Sequence, residues 1–115
     1  MEFYKGDTIK IQCTIDEDIT DWKIRASITD ASDNEVKIAT LNSGGADTQI
    51  AVTPGASEST FILYFASGDT DDFEENAILE IEVDTGETIN GKGEIYTLFQ
   101  GNITLKEHKI DWTSP

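Results

Sequence analysis

Hydrophobic and polar residues alternate along most of this chain with a period of two. The clearest case is near the end, where Ala77, Leu79, Ile81 and Val83 alternate with Ile78, Glu80, Glu82 and Asp84. A second run follows, with Ile95, Thr97, Phe99, Gly101, Ile103 and Leu105 in one phase. Glu94, Tyr96, Leu98, Gln100, Asn102 and Thr104 occupy the other. A period of two predicts strands with one buried face. The two runs predict a hairpin, Ala77 to Val83 against Gly93 to Leu105. Asp84-Thr85-Gly86-Glu87 and Asn90-Gly91-Lys92-Gly93 supply its turn chemistry.

The same pattern recurs upstream. Asp7 to Ile15 predicts a strand with Ile9, Ile11, Cys13 and Ile15 inward, preceded by a bend at Gly6. Trp22 to Thr29 predicts another, with Trp22, Ile24, Ala26 and Ile28 inward and Trp22 plugging one end. A polar turn, Asp30 to Asn34, leads to a third strand, Val36 to Leu41, whose alternation falters at Thr40-Leu41. Asn42 to Asp47 reads as a flexible loop and Thr48 to Thr53 as a short strand ending at Pro54-Gly55. Phe61-Ile62-Leu63-Tyr64-Phe65, within Ser59 to Ala66, is the densest apolar run and predicts a strand covered on both faces. Ser67 to Asn76 predicts a crossover in which Ser67, Asp69 or Thr70 caps one helical turn and Phe73 anchors it.

The total is about seven short strands and at most one helical turn, the pattern of an all-β, immunoglobulin-like antiparallel β-sandwich. Residues 1–107 form the sandwich and 108–115 a partly free tail carrying His108 and Trp112. On this phase Phe99 belongs to the core, where Phe99→Ala would cost about 3–5 kcal/mol.

Charge narrows the partners. Eight basic and 23 acidic residues give a net charge of −15. A polyanion repels phosphate, which argues against nucleic acid and anionic membrane surfaces. The charge keeps the chain soluble and discourages edge-to-edge pairing, or it docks on a basic surface. No apolar run approaches a membrane span, and Met1 to Gly6 lacks the basic start and apolar stretch of an export signal. The expectation is therefore synthesis in a cytoplasm without membrane insertion.

Catalytic chemistry finds little to work with. Cys13 is the single cysteine, in phase with a core face and without a basic neighbour, and His108 is the single histidine. These are too few for a zinc site. Two acidic clusters, Asp69-Asp71-Asp72 and Asp16-Glu17-Asp18-Asp21, raise calcium, but neither has the EF-hand pattern. Paired carboxylates are plentiful, yet a glycosidase pair needs a cleft and raised pKa values. The expectation is no enzyme, no cofactor and no metal. The aromatics Tyr4, Tyr64, Tyr96 and Trp112 lie off the inward phase or outside strands. Tyr96 and Leu98 share a face with Gln100, and with Trp112 these are the candidate contact residues for a protein partner. The alternative is a carbohydrate- or host-surface-binding module using Tyr64, Tyr96 and Trp112.

The order of three short motifs resembles small proteins encoded among the virion genes of tailed bacteriophages and prophages. The motifs are Phe3-Tyr4-Lys5-Gly6-Asp7-Thr8, Asp21-Trp22-Lys23-Ile24-Arg25-Ala26-Ser27-Ile28-Thr29-Asp30, and Tyr96-Thr97-Leu98-Phe99-Gln100-Gly101-Asn102-Ile103. The resemblance implies an immunoglobulin-like sandwich in a virion, or in the host cytoplasm during assembly. There it would attach tail or baseplate components to one another or to itself, and it carries over no catalytic residue. The acidic stretch Gly68 to Asn76 departs from the pattern, since related chains tend to place a proline-containing turn there.

Overall fold

The computed structural model describes residues 1–107. They form eight strands and one short 3-10 turn: β1 (Glu2–Tyr4), β2 (Ile9–Ile15), β3 (Lys23–Asp30), β4 (Glu35–Ala39), the turn (Leu41–Ser43), β5 (Ile50–Thr53), β6 (Ser59–Phe65), β7 (Asn76–Ile89) and β8 (Lys92–Lys106). Two sheets pack face to face as a small β-sandwich, five strands in the order β1-β8-β7-β3-β4 against three in the order β2-β6-β5. Neighbours run antiparallel except β1, which lies parallel to β8.

The alternating phases of β3, β6 and β7 build the core as expected. Ile24, Ala26 and Ile28 meet Phe61, Leu63 and Phe65 from the opposite sheet, with Ala77, Leu79, Ile81 and Val83 beside them. Each fully buried Ile, Leu, Val or Phe among them contributes about 1.5–3 kcal/mol. Ile62 and Tyr64 point away from the core and are half-buried. The apolar run is thus an ordinary one-sided strand, without the second covered face its composition predicted.

Turns and loops depart from expectation in several places. β1 is an added strand, too short to show a period. Gly6 bends the chain where it leaves the five-stranded sheet for the three-stranded one. Its φ is +79°, and a Cβ there would collide with Asp71 Oδ1. Gly6 N–H donates to buried Thr70 Oγ1 at 2.9 Å. Ser67 to Glu75 forms turns and no helix, though Phe73 is buried as its anchor. The Asn42 to Asp47 loop, expected to be flexible, and Gln49 just beyond it make hydrogen bonds to the end of β4 and to Thr40. Gly45 N–H donates to Thr40 O, and Gln49 Oε1 accepts the Ala39 N–H. Asp30 ends β3 nearly buried and accepts from Ser32 N, Asn34 N, Asn34 Nδ2 and Glu74 N at 2.8–3.0 Å. Burial pushes that carboxyl up, but the four hydrogen bonds outweigh it and hold the group below the ordinary Asp range.

The last hairpin is longer than predicted and turns only at Asn90-Gly91, both with positive φ, as a two-residue hairpin turn requires. Asp84 to Glu87 is no turn; it is a register irregularity inside β7, with Gly86 at φ +83°. A second irregularity lies at Leu98. Ile81 pairs with Phe99 and Glu82 with Thr97, so Leu98 is an extra residue on β8. A bulge of this kind shifts the side-chain phase by one. Tyr96 therefore pairs with Val83 on the core side, while Ile95 faces out and is 56 % exposed. Phe99 keeps its inward phase, yet is 39 % exposed. Its expected place in the sealed core is corrected accordingly.

Candidate functional site

Among the described residues, the flank formed by β8 and β2 combines an open strand edge with exposed apolar side chains. At about 4.8 Å per strand, five strands span about 19 Å between outer axes and three about 10 Å. The smaller sheet cannot cover the larger one to its rim. β1 extends the β8 edge only at Thr104–Lys106, where Thr104 N–H donates to Met1 O at 3.0 Å. Among the described residues no strand pairs with that side of β8 from Lys92 to Ile103. Peptide groups alternate in direction along a strand. Those of Gln100 and Asn102 therefore point the way Thr104 does, to an unpaired edge.

Apolar side chains line this opening. Inward-facing Ile11, Cys13 and Ile15 of β2 are only half-buried, because β2 pairs with β6 alone. Burial raises the Cys13 thiol pKa, which leaves a poor nucleophile. The Phe99 ring lies over Gly101, close enough that a Cβ there would stand 2.8 Å from Phe99 Cζ. Beyond the bulge a groove of about 390 Å³ lies between the sheets, its apolar lining formed by Ile15, Trp22, Val83, Tyr96 and Leu98. Glu17 and Glu94 share this lining, and Tyr96 Oη donates to Glu94 Oε1 at 2.6 Å. That bond raises the phenol pKa above its ordinary value. An adjoining depression is lined by Asp18, Asp21 and Glu87 together with the same two glutamates, and by no basic residue. Asp18 is held below the ordinary range by hydrogen bonds from the Thr20 hydroxyl and amide.

The bulge separates the predicted contact residues. Tyr96 and Leu98 line one groove, whereas Gln100 stands on the outer face and donates from Nε2 to Glu80 Oε2 at 2.8 Å. Trp112 and His108 lie outside the described residues. Phe99, Trp22, Ile15 and Glu94 complete the site and were not among its predicted members. The signal was present in Ile95-Tyr96-Thr97-Leu98-Phe99, a stretch apolar in both phases. The alternative sugar platform does not assemble from the described residues. Tyr64 lies on the outside of the three-stranded sheet beside Lys10, with Nζ 5.6 Å from its ring centroid, whereas Tyr96 stands on the inner side of the five-stranded sheet, with the smaller sheet between them.

A larger concavity of about 640 Å³ sits on the outer face of the five-stranded sheet, lined by Arg25, Lys37, Glu35, Glu80 and Glu82. Hydrogen bonds from Lys37 and Thr29 lower the Glu35 pKa, opposite to what a general acid needs. Among the described residues, no three His, Cys, Asp or Glu side chains converge to hold a metal ion, and no helix is long and apolar enough to cross a membrane. The chain matches no protein-family model and no curated protein.

Proposed function

We propose that this chain is a non-enzymatic structural or attachment protein that works by protein–protein contact through its β8 flank. One observation carries the reading: an unpaired strand edge lies beside half-exposed Tyr96, Leu98 and Phe99. An edge offers hydrogen bonds to another chain, and adjacent apolar side chains give that contact energy. Most small sandwiches blunt such an edge. The bulge at Leu98 is one such device, but between it and β1 the edge at Gln100 and Asn102 carries neither proline nor a charged side chain. The motif order described above favours a virion setting, with tail or baseplate components as partners.

The test replaces Tyr96 and Leu98 by alanine in the encoding phage or prophage and adds a photocrosslinking residue at position 98. Loss of particle assembly by a still-folded double variant, with crosslinks to a particle component, supports the reading. Normal assembly without crosslinks overturns it.

A further inference from the structure

The strand edge adjoins the groove and its two carboxylates, and together they specify the occupant. We infer that β8 receives an extended, basic segment of a partner protein, which adds as a strand beside Gln100 and Asn102. The inference rests on the attachment reading above and names the chemistry of the partner.

Three features lead to it. The first is direction. The open edge continues the line of β1, so an added strand fills the place above Met1 with the same spacing that β1 already uses. The second is the two faces such a strand would present. Side chains on its inner face would meet Phe99 and Tyr96, and those on its outer face would lie beside Gln100, with Glu80 and Glu82 of β7 one strand further in. That arrangement asks for alternating apolar and basic residues, because alternate side chains of a strand point to opposite faces. The third is the groove. Its apolar lining, Trp22, Tyr96 and Leu98, continues the inner face for an apolar side chain, and Glu17 and Glu94 in the same lining add negative charge that attracts a cationic segment to this end of the edge.

A second copy of this chain is the competing occupant. It would bring another net charge of −15 against the same acidic flank, at separations inside the screening length of about 8–10 Å. The charge that keeps copies apart favours a cationic strand.

The test uses the full chain and synthetic peptides, by calorimetry and by amide hydrogen exchange. One peptide alternates lysine and valine over eight residues; a second has the same composition in two blocks. The alternating peptide is expected to bind at least about tenfold tighter, with slowed exchange at the Gln100 and Asn102 amides. N-methylation of alternate peptide residues in one phase should abolish binding, and in the other phase should leave it. Glu17→Gln with Glu94→Gln should weaken binding several-fold, as should added salt. Equal affinity for the two peptides, or protection confined to other strands, overturns the inference. So does salt-insensitive dimerisation of the chain through β8. Crosslinks from position 98 in particles, combined with peptide indifference, would sink strand addition while leaving the attachment reading in place; peptide indifference without crosslinks would sink the two together.

Discussion

Phe61 and Phe99 are the same residue type, in the same inward phase, on facing sheets of one sandwich. Phe61 is fully buried and Phe99 is 39 % exposed. The difference comes from their neighbours. Phe61 lies on β6, flanked by β2 and β5 and faced by the middle of the larger sheet. Phe99 lies on β8 beyond the stretch that β1 covers, with no strand beside it on that edge among the described residues. Inward phase therefore indicates direction, and burial additionally requires something opposite. In this protein the closed region holds the fold together, and the unfinished one is where a partner has both backbone and apolar surface to meet.

Substitutions that treat the two regions alike should give unequal results. The largest effect is expected at Phe61→Ala, which empties a sealed site and should cost about 3–5 kcal/mol in urea unfolding. Phe99→Ala should cost about 1–2 kcal/mol, since much of that ring already meets water. Equal losses would show that β8 is as closed as β6. The acid limb of stability should depend on Asp30. Its folded pKa is lowered, so its contribution is present above the ordinary Asp pKa and is lost as pH falls through the folded value. Asp30→Asn should therefore flatten the decline in stability between about pH 5 and pH 2 relative to the parent chain. Parallel curves would show that the β3–β4 turn carries no such linkage. The smallest effect is expected at Gly101→Ala. A Cβ there meets the tip of a half-exposed ring that can swing outward, so stability should stay within about 0.5 kcal/mol of the parent. A loss as large as that of Phe99→Ala would mean that the ring is held more firmly than its exposure indicates.

Much of the architecture was legible along the chain, and the part that was not has a specific cause. In β3 and β7 the off-phase residues are largely charged or polar, such as Lys23, Arg25, Glu80 and Glu82, so only one phase can be buried. The β8 stretch Ile95 to Phe99 lacks that contrast. Both of its phases are apolar, and alternation alone cannot say where a residue has been added. The bulge at Leu98 thus reversed the expected faces of Ile95 and Tyr96 and parted Gln100 from its predicted companions. The Asp84 to Glu87 stretch misled for a related reason. A glycine with positive φ serves a bulge as well as a turn, and only the pairing of β7 with β8 distinguishes them.

The amino-acid sequence by itself determined an all-β chain, the inward phases of β3, β6 and most of β7, the polar turn at Asp30 and a heavily acidic surface, because these follow from side-chain contrast between neighbouring residues. Tertiary structure decided which inward-facing side chains are covered, where β8 slips by one residue, and that an acidic groove adjoins an open edge. Those features depend on how many strands each sheet contains and where each strand stops, and residues distant along the chain set both.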